Sequence, residues 1–344
     1  DEHPSVIAAY ARLEAARARA DALRKGSEEV TVQGSYTRRD VSGGSAFNEY
    51  DAQLSRPIRL PGKARLDRTI GEQGIAVSEN VAEDAKHEAA LLLAGHWFDW
   101  LSASAQARVD QAAVTNYETA LAAVTRRRTL RDAARLDVDR AQAALAEAQR
   151  ALAQSSGLAV LARGRITAQF PALALPADAP DVPLPGMADA RLSQLGDLVV
   201  VNSHMIGAAA AESARMAAVA DRARADHLAD PTVGLRVFSE FGGLELGAGV
   251  VVSMPLGGGH RRALANEASA GASAARAHEQ LARFDVAEIA QADMTDVRFR
   301  IIAWQRARDS VTAQMAALAK LRRGHQLGEI DLGDLLLGEQ MVHS

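Results

Sequence analysis

Residues 251–265, VVSMPLGGGHRRALA, open as a β-run, pass a proline and three glycines, and end as an Ala/Arg helix start. Residues 53–67, QLSRPIRLPGKARLD, make the same transition roughly two hundred residues earlier. Pro57 and Pro255 end the strands because proline cannot donate to a ladder, and Gly62 and Gly259 open the helices after them. The fold is read outward from these two junctions.

Proline placement sets the length of the helix after each junction. The ten prolines leave 62–170 and 256–344 empty. Proline-free stretches rich in Ala, Arg, Glu and Gln read as long helices. A helix over 62–128 would reach about 100 Å at 1.5 Å per residue. Val297, Ile301 and Trp304, then Val311, Met315 and Leu318, repeat steps of four and three. That is a heptad seam, interrupted by Arg308. Leu93, Trp97, Trp100 and Leu101 form a comparable stripe earlier, with the tryptophans expected at core positions.

Upstream of the junctions the period changes to two. VTVQGSYTRR (30–39) and EYDAQLSRPI (49–58) flank DVSGGSAFN, while TVGLRVF (232–238) and LELGAGVVVSM (244–254) flank EFGG. Alternation around glycine-bearing turns predicts two hairpins. Each strand of about ten residues matches the length of a tilted membrane-barrel strand. Four strands cannot close a barrel, so a barrel needs several copies.

The second half also tracks the first. Shifted by 197 residues without a gap, Gly62 meets Gly259, Gly74 meets Gly271, Val114-Thr115 meets Val311-Thr312, Leu130 meets Leu327 and Asp137 meets Asp334. The reading is a duplicated unit. The first repeat spans 1–170, with a helix over 4–26, a hairpin over 29–59, a long helix over 62–128 and a returning helix over 135–158. PALALPADAPDVPLPG (171–186) is an irregular linker. The second repeat spans 187–344, with a helix over 188–228, a hairpin over 231–255, a long helix over 259–325 and a returning helix over 331–344.

Composition narrows the function classes. A formal charge of −4 gives no electrostatic footprint for nucleic acid. The absence of cysteine excludes disulfides, thiolate metal sites and, within these residues, a lipidated cysteine. No signal sequence opens the chain, so any such peptide is expected to have been removed already. No apolar run is long enough for a transmembrane helix. LGAGV and GGGH lack the phosphate-loop pattern. The nine histidines are dispersed without a metal-ligand spacing, His96 beside Trp97 reads as a core or interface residue, and no cofactor is expected. The run Arg126-Arg127-Arg128 reads as a solvated face or, functionally, as a docking surface. Asp137 and Asp334 read as helix N-caps after turns, with Asp334 also a candidate carboxylate ring in a pore.

Four motifs in order resemble the TolC-like outer-membrane efflux proteins. They are HPSVIAAYARLEAARARADAL (3–23), the junction pair RPIRLPGKAR and MPLGGGHRR, RRTLRDAARLDVDRAQAALAEAQRAL (127–152), and RRGHQLGEIDLGDLLLGEQ (322–340). The resemblance implies a mainly α protein with a β-barrel part, whose homotrimer forms a 12-stranded outer-membrane β-barrel continuous with a periplasmic α-helical barrel. It implies a passive exit duct, not an enzyme, working with a periplasmic adaptor (membrane fusion) protein and an inner-membrane pump of the resistance-nodulation-division or ABC type, and embedded in outer-membrane lipid. A type I secretion channel is the alternative within that class. A soluble coiled-coil scaffold with hairpin arms is the alternative outside it.

The same resemblance assigns the aperture to Asp334, with Asp331 and Glu329 as neighbouring acids, since Leu337 stands at the second position of the family's acidic pair. It assigns docking at the helix tips to Arg128, Arg131, Leu136, Asp137, His325, Gly328 and Leu332. Arg131 stands where the first tip of the family carries glycine, so that turn is expected to be built differently. The family's last helix continues beyond the position of Ser344, which implies that this chain continues too.

Overall fold

In the computed structural model, which describes residues 3–186 and 189–343, twelve consecutive elements alternate long helices with short strands. Helix α1 (Pro4–Lys25) leads into β1 (Thr31–Asp40) and β2 (Ala46–Pro57), then α2 (Lys63–Thr129) and α3 (Arg135–Gln169). Helices α4 (Asp189–Val201) and α5 (His204–Ala225) precede β3 (Thr232–Glu240), a short 3-10 turn at Phe241–Gly243, and β4 (Glu245–Ser253). Helices α6 (Gly259–Leu327) and α7 (Leu332–His343) close the order. The two long helices have 67 and 69 residues.

Two boundaries differ from the sequence reading. The single helix expected over 188–228 is two, because Ser203 turns extended and its hydroxyl accepts from the Ile206 N–H at 3.3 Å, capping a new helix. The returning helix expected to end at 158 runs to Gln169, two residues before Pro171, where proline makes helix difficult to sustain. Met187, Ala188 and Ser344, at the edges of the expected second repeat, lie outside the described residues.

The chain divides into two compact units. One holds Pro4–Ala85 and Leu198–Ile289. Its four strands form one antiparallel sheet in the order β1-β2-β3-β4, so β2 pairs with a strand that lies four helices later in the chain. Its helical core is mostly alanine: Ala9, Ala82, Ala211, Ala218, Ala220 and Ala272 are buried beside Val6, Leu13, Ile206 and Val286. A Cβ at Gly71 would lie 2.9 Å from the Ala20 Cα, so glycine there allows α1 and α2 to approach closely. Alanine-rich sequence is thus converted into close helix packing rather than a bulky core.

The other unit holds Lys86–Asp197 and Ala290–Ser344 with the first residues of the chain. Three buried clusters tie α2 to α3. Trp100 packs on Ala162 and Ile166, Tyr117 and Val114 on Ala148, and Val124 on Ala141, with Leu332 and Leu336 of α7 joining the last two. Trp97 meets Trp100 edge-on at 5.4 Å. The irregular 171–186 segment is a strap docked on this unit. Leu175 and Ala179 pack against the Trp100 cluster, and Arg163, stacked over Trp100 at 5.2 Å, donates to the Pro176 and Ala177 carbonyls at 2.8 and 2.7 Å. The α6 seam is a helix as expected and is buried unevenly: Leu318 is buried and Val297, Ile301 and Trp304 are half-buried, while Val311 and Met315 remain 44% and 58% exposed.

Candidate functional site

The sheet separates its side chains by chemistry. Its register has no bulge, so residues opposite one another share a face. One face carries Val32, Leu54, Leu235 and Val250 in one row, Gly34, Ala52, Val237 and Ala248 in the next, then Tyr36, Tyr50, Ser239 and Leu246. All the large apolar members of these rows are exposed. Tyr36 and Tyr50 lie 5.4 Å apart, and the Tyr36 hydroxyl donates to Asn48 Oδ1 at 3.0 Å in the adjoining, polar row. The opposite face carries Gln33, Ser35, Thr37 and Arg39 on β1, Glu49, Asp51 and Gln53 on β2, and Arg236 paired with Asp51. Phe238 on this face lies across Gly247 of β4, where a side chain would collide with its ring.

At the first strand-to-helix junction the chain turns at Gly62, φ 95°. At the second the left-handed residue is Gly257, φ 94°, and Gly259 is already helical. The gapless match of Gly62 with Gly259 therefore does not match the residues that turn. Pro57 is the last residue of β2, while Pro255 lies two residues past the end of β4.

Sequence reasoning missed what clamps the first junction. Lys63, the first residue of α2, is only 2% exposed. Its Nζ donates to the Leu228 carbonyl at 2.7 Å and pairs with Asp226 and Asp230, both at 2.9 Å. Arg59 reaches Asp67 at 2.8 Å and the Leu23 carbonyl at 2.9 Å, and Arg222 holds the other oxygen of Asp67 at 2.8 Å. Burial alone would push the Asp226 carboxyl up, but hydrogen bonds from Arg222 and Lys63 outweigh it and hold it below its ordinary value. The second junction has a lighter clamp, Arg261 donating to the Gly257 carbonyl.

The two helix tips are built alike. At the first, Asp132 N–H donates to Arg127 O at 2.9 Å and Arg131 N–H to Arg128 O at 2.9 Å. At the second, Glu329 N–H donates to Gly324 O at 2.9 Å and Gly328 N–H to His325 O at 3.1 Å. Both are Schellman caps. Arg131 adopts φ 64° and Gly328 φ 77°, so the arginine takes the glycine's left-handed place and the expected difference in the turn does not occur.

The returning helices are capped by the same spacing in opposite senses. Asp137, at the third helical position of α3, accepts from the Ala134 N–H at 3.1 Å. Asp331 caps α7 by accepting from the Asp334 N–H at 2.9 Å. Neither Asp137 nor Asp334 is itself the N-cap expected from sequence. Glu329, Asp331 and Asp334 are exposed, as are Arg128, Arg131, Gly328 and, at 55%, Leu136. Leu332 is buried against Val124 and Ala141, and His325 Nδ1 lies 3.0 Å from the Ile330 carbonyl. These two residues shape the tip.

A further pair was invisible in sequence. Arg322 of α6 grips Glu339 of α7 with two bonds, at 2.7 and 2.9 Å, and Glu339 is only 7% exposed. Burial first, and then the charge of Glu339, push the Tyr117 phenol above its ordinary value. Among the described residues no group of His, Asp or Glu could hold a metal ion, and no helix is long and apolar enough to cross a membrane.

No protein-family description and no curated relative matches the sequence. Solved structures do match. The outer membrane protein VceC from Vibrio cholerae superimposes with a TM-score of 0.80 at 18% identity, over 99% of this chain and 87% of that one. The outer-membrane channel OprN gives 0.79 at 22% identity, over 99% and 81%. The open state of the Neisseria gonorrhoeae MtrE outer membrane channel gives 0.76 at 19% identity, over 99% and 80%. With strand order, junctions and helix tips all in place, this chain has the fold of the TolC-like outer-membrane efflux channels.

Proposed function

We propose that the protein is an outer-membrane exit duct of a tripartite efflux system, conducting passively what an inner-membrane pump and a periplasmic adaptor deliver. The observation that carries this reading is the one-sided sheet. Val32, Tyr36, Tyr50, Leu54, Leu235, Val237, Leu246, Val250 and Val252 all point outward from one face and are exposed. At about 1.5–3 kcal/mol per large apolar side chain, leaving that face in water forgoes on the order of 20 kcal/mol. Lipid removes the cost, and the tyrosine row followed by Arg38 and Asn48 suits the boundary of a bilayer. A soluble scaffold has no use for such a face.

Strands β1 and β4 each have one unpaired edge, and in lipid an open edge is untenable. Three copies would close twelve strands, with the polar face inside. The exposed Val311 and Met315 on α6 supply apolar surface for the neighbouring copies in the helical part. The recurrence of the Schellman cap 197 residues apart supports descent of the two halves from one unit.

The aperture in this reading is the second tip. Asp334, with Asp331 and Glu329, would form a threefold carboxylate ring that favours cations. The adaptor would meet Arg128, Arg131, Leu136 and Gly328, together with Leu130 and Leu327, which are 74% and 60% exposed at the two helix ends. Single-channel recording in planar bilayers tests this: discrete steps with cation preference are expected, and Asp334→Asn should reduce that preference. Absence of conductance from correctly folded protein would contradict the duct, and unchanged selectivity in the variant would remove Asp334 from the aperture.

A further inference from the structure

Three facts meet at the turn end of the sheet. The first is backbone: Phe241 stands at φ 49°, and Gly242 and Gly243 come next at 69° and 97°. Apart from Arg131, Phe241 is the one non-glycine residue with positive φ among the described residues. A bulky side chain in that region is costly unless its surroundings hold it there.

The second is where the turn goes. Strand β2 extends past β3, whose pairing with it stops at Tyr50–Ser239. Instead of continuing the ladder, the β3–β4 turn bends onto the projecting end of the β1–β2 hairpin. The Phe241 ring meets Phe47 edge-on at 5.5 Å, and the Arg39 guanidinium lies 5.3 Å from the Phe241 centroid. Arg39 and Phe47 face each other across β1 and β2, on the polar side of the sheet.

The third is a buried charge. Glu49, two residues from Phe47 on the same face, is 7% exposed on a sheet whose other polar residues are mostly open. One carboxylate oxygen pairs with Arg39 at 3.1 Å, and the other is buried with no hydrogen-bond partner. A buried carboxylate is not left half-satisfied without cost. The site holds the turn down through Arg39, which contacts lid and carboxylate together.

We infer that the β3–β4 turn is a latched lid folded over the polar face of the sheet, with Phe241 as its closing element and the Arg39–Glu49 pair as its catch. Resting on the duct reading, in which that face lines the conduit, the lid narrows the conduit at the turn end of the sheet. Opening needs the Phe241 ring to leave Phe47 and Arg39, after which the three-residue turn is free to swing outward on its two glycines.

The test uses the purified protein, with Glu49→Gln to weaken the catch, Phe241→Gly to remove the lid and relieve its backbone, and Gln33→Ala as a control on the same face near the junction end of the sheet. Hydrogen exchange of a peptide covering 239–246 reads the latch without reference to conduction. At least a tenfold acceleration is expected in Glu49→Gln and none in Gln33→Ala; an unchanged rate in Glu49→Gln overturns the catch. Single-channel conductance reads the narrowing. Both Phe241→Gly and Glu49→Gln should raise it at least twofold. A conducting wild type with unchanged variants overturns the constriction, and Phe241→Gly carries this arm if Glu49→Gln does not fold. A silent wild type whose 239–246 exchange still accelerates in Glu49→Gln would leave the latch standing and refute the duct.

Discussion

Replacing Lys63 with methionine should loosen the first strand-to-helix junction more than any other single change near it. The ammonium is 2% exposed, and its three partners lie at 2.7 to 2.9 Å. Methionine keeps most of the volume, so the loss is electrostatic. It takes the cation paired with Asp230, which keeps the Leu60 N–H, and one of two from Asp226, which keeps Arg222, and it removes the donor to the Leu228 carbonyl. Removing one member of a buried pair costs about 3–5 kcal/mol. Here the carboxylates retain side-chain exposures of 42% and 21%, so solvent screens part of that and about 3 kcal/mol is the expected cost. In native-state hydrogen exchange, about 3 kcal/mol corresponds to roughly a hundredfold faster opening. The change should be confined to peptides covering Ile58–Leu66 and Asp226–Asp230. Adding Asp230→Asn to Lys63→Met should recover part of the loss, because the carboxylate left without its cation is neutralised while the asparagine oxygen can still accept from the Leu60 N–H. Less than threefold acceleration, or no recovery in the double variant, would refute the reasoning. The same site sets a pH dependence. Asp226 has a lowered pKa in the folded state, so its contribution is present above the ordinary carboxylate pKa of 3.8 and is lost as pH falls through the lower folded value. Corrected exchange at the junction should therefore be flat from neutral pH to about 5 and accelerate below about 4.

Arg131→Gly should stabilise the first tip by about 1 kcal/mol, since φ 64° is uphill for a side chain and free for glycine; Gly328→Ala should destabilise the second by a similar amount, and thermal unfolding of both variants checks the pair. The Tyr117 phenol should titrate above the ordinary tyrosine range in an absorbance titration. Glu339→Gln should bring it down without normalising it, because burial is the larger cause. Arg163→Met removes two hydrogen bonds to the strap and its stacking on Trp100; limited proteolysis should then cut within 171–186 several times faster, and unchanged cleavage would show that Leu175 and Ala179 hold the strap alone.

The long helices and both hairpins were legible because their signals are local. Prolines punctuate the chain, period-two alternation marks the strands, and the glycine turns sit where strand becomes helix. The break at Ser203 was harder to see, since it interrupts a stretch that is apolar or alanine-rich on both sides and depends on one hydroxyl. The end of α3 could have been placed correctly by giving Pro171 the weight given to Pro57. Helix-tip chemistry was half legible: the spacing located Asp137, Asp331 and Asp334, but which carboxylate bonds which N–H is a matter of backbone geometry. That Arg131 would take a left-handed conformation is not written in its side chain.

What sequence could not show were pairs joined only by the fold. Lys63 meets partners more than 160 residues away, and Arg222 meets Asp67 across 155. Glu49 reads as an ordinary exposed strand residue, and its burial beside Arg39 shows only in the fold. The α6 seam carries the opposite lesson. Its period announces burial throughout, yet Leu318 is buried while Val311 and Met315 stay exposed, so the period alone does not say which seam positions a single chain covers.

The central claim is that the exposed face of the four-stranded sheet meets lipid as one third of a closed barrel. The most direct measurement is native mass in a lipid nanodisc together with hydrogen exchange along β1 and β4. Three copies per particle, with amides on the outer edges of both strands as protected as those of β2 and β3, are expected. A monomer with freely exchanging β1 and β4 edges would contradict the claim.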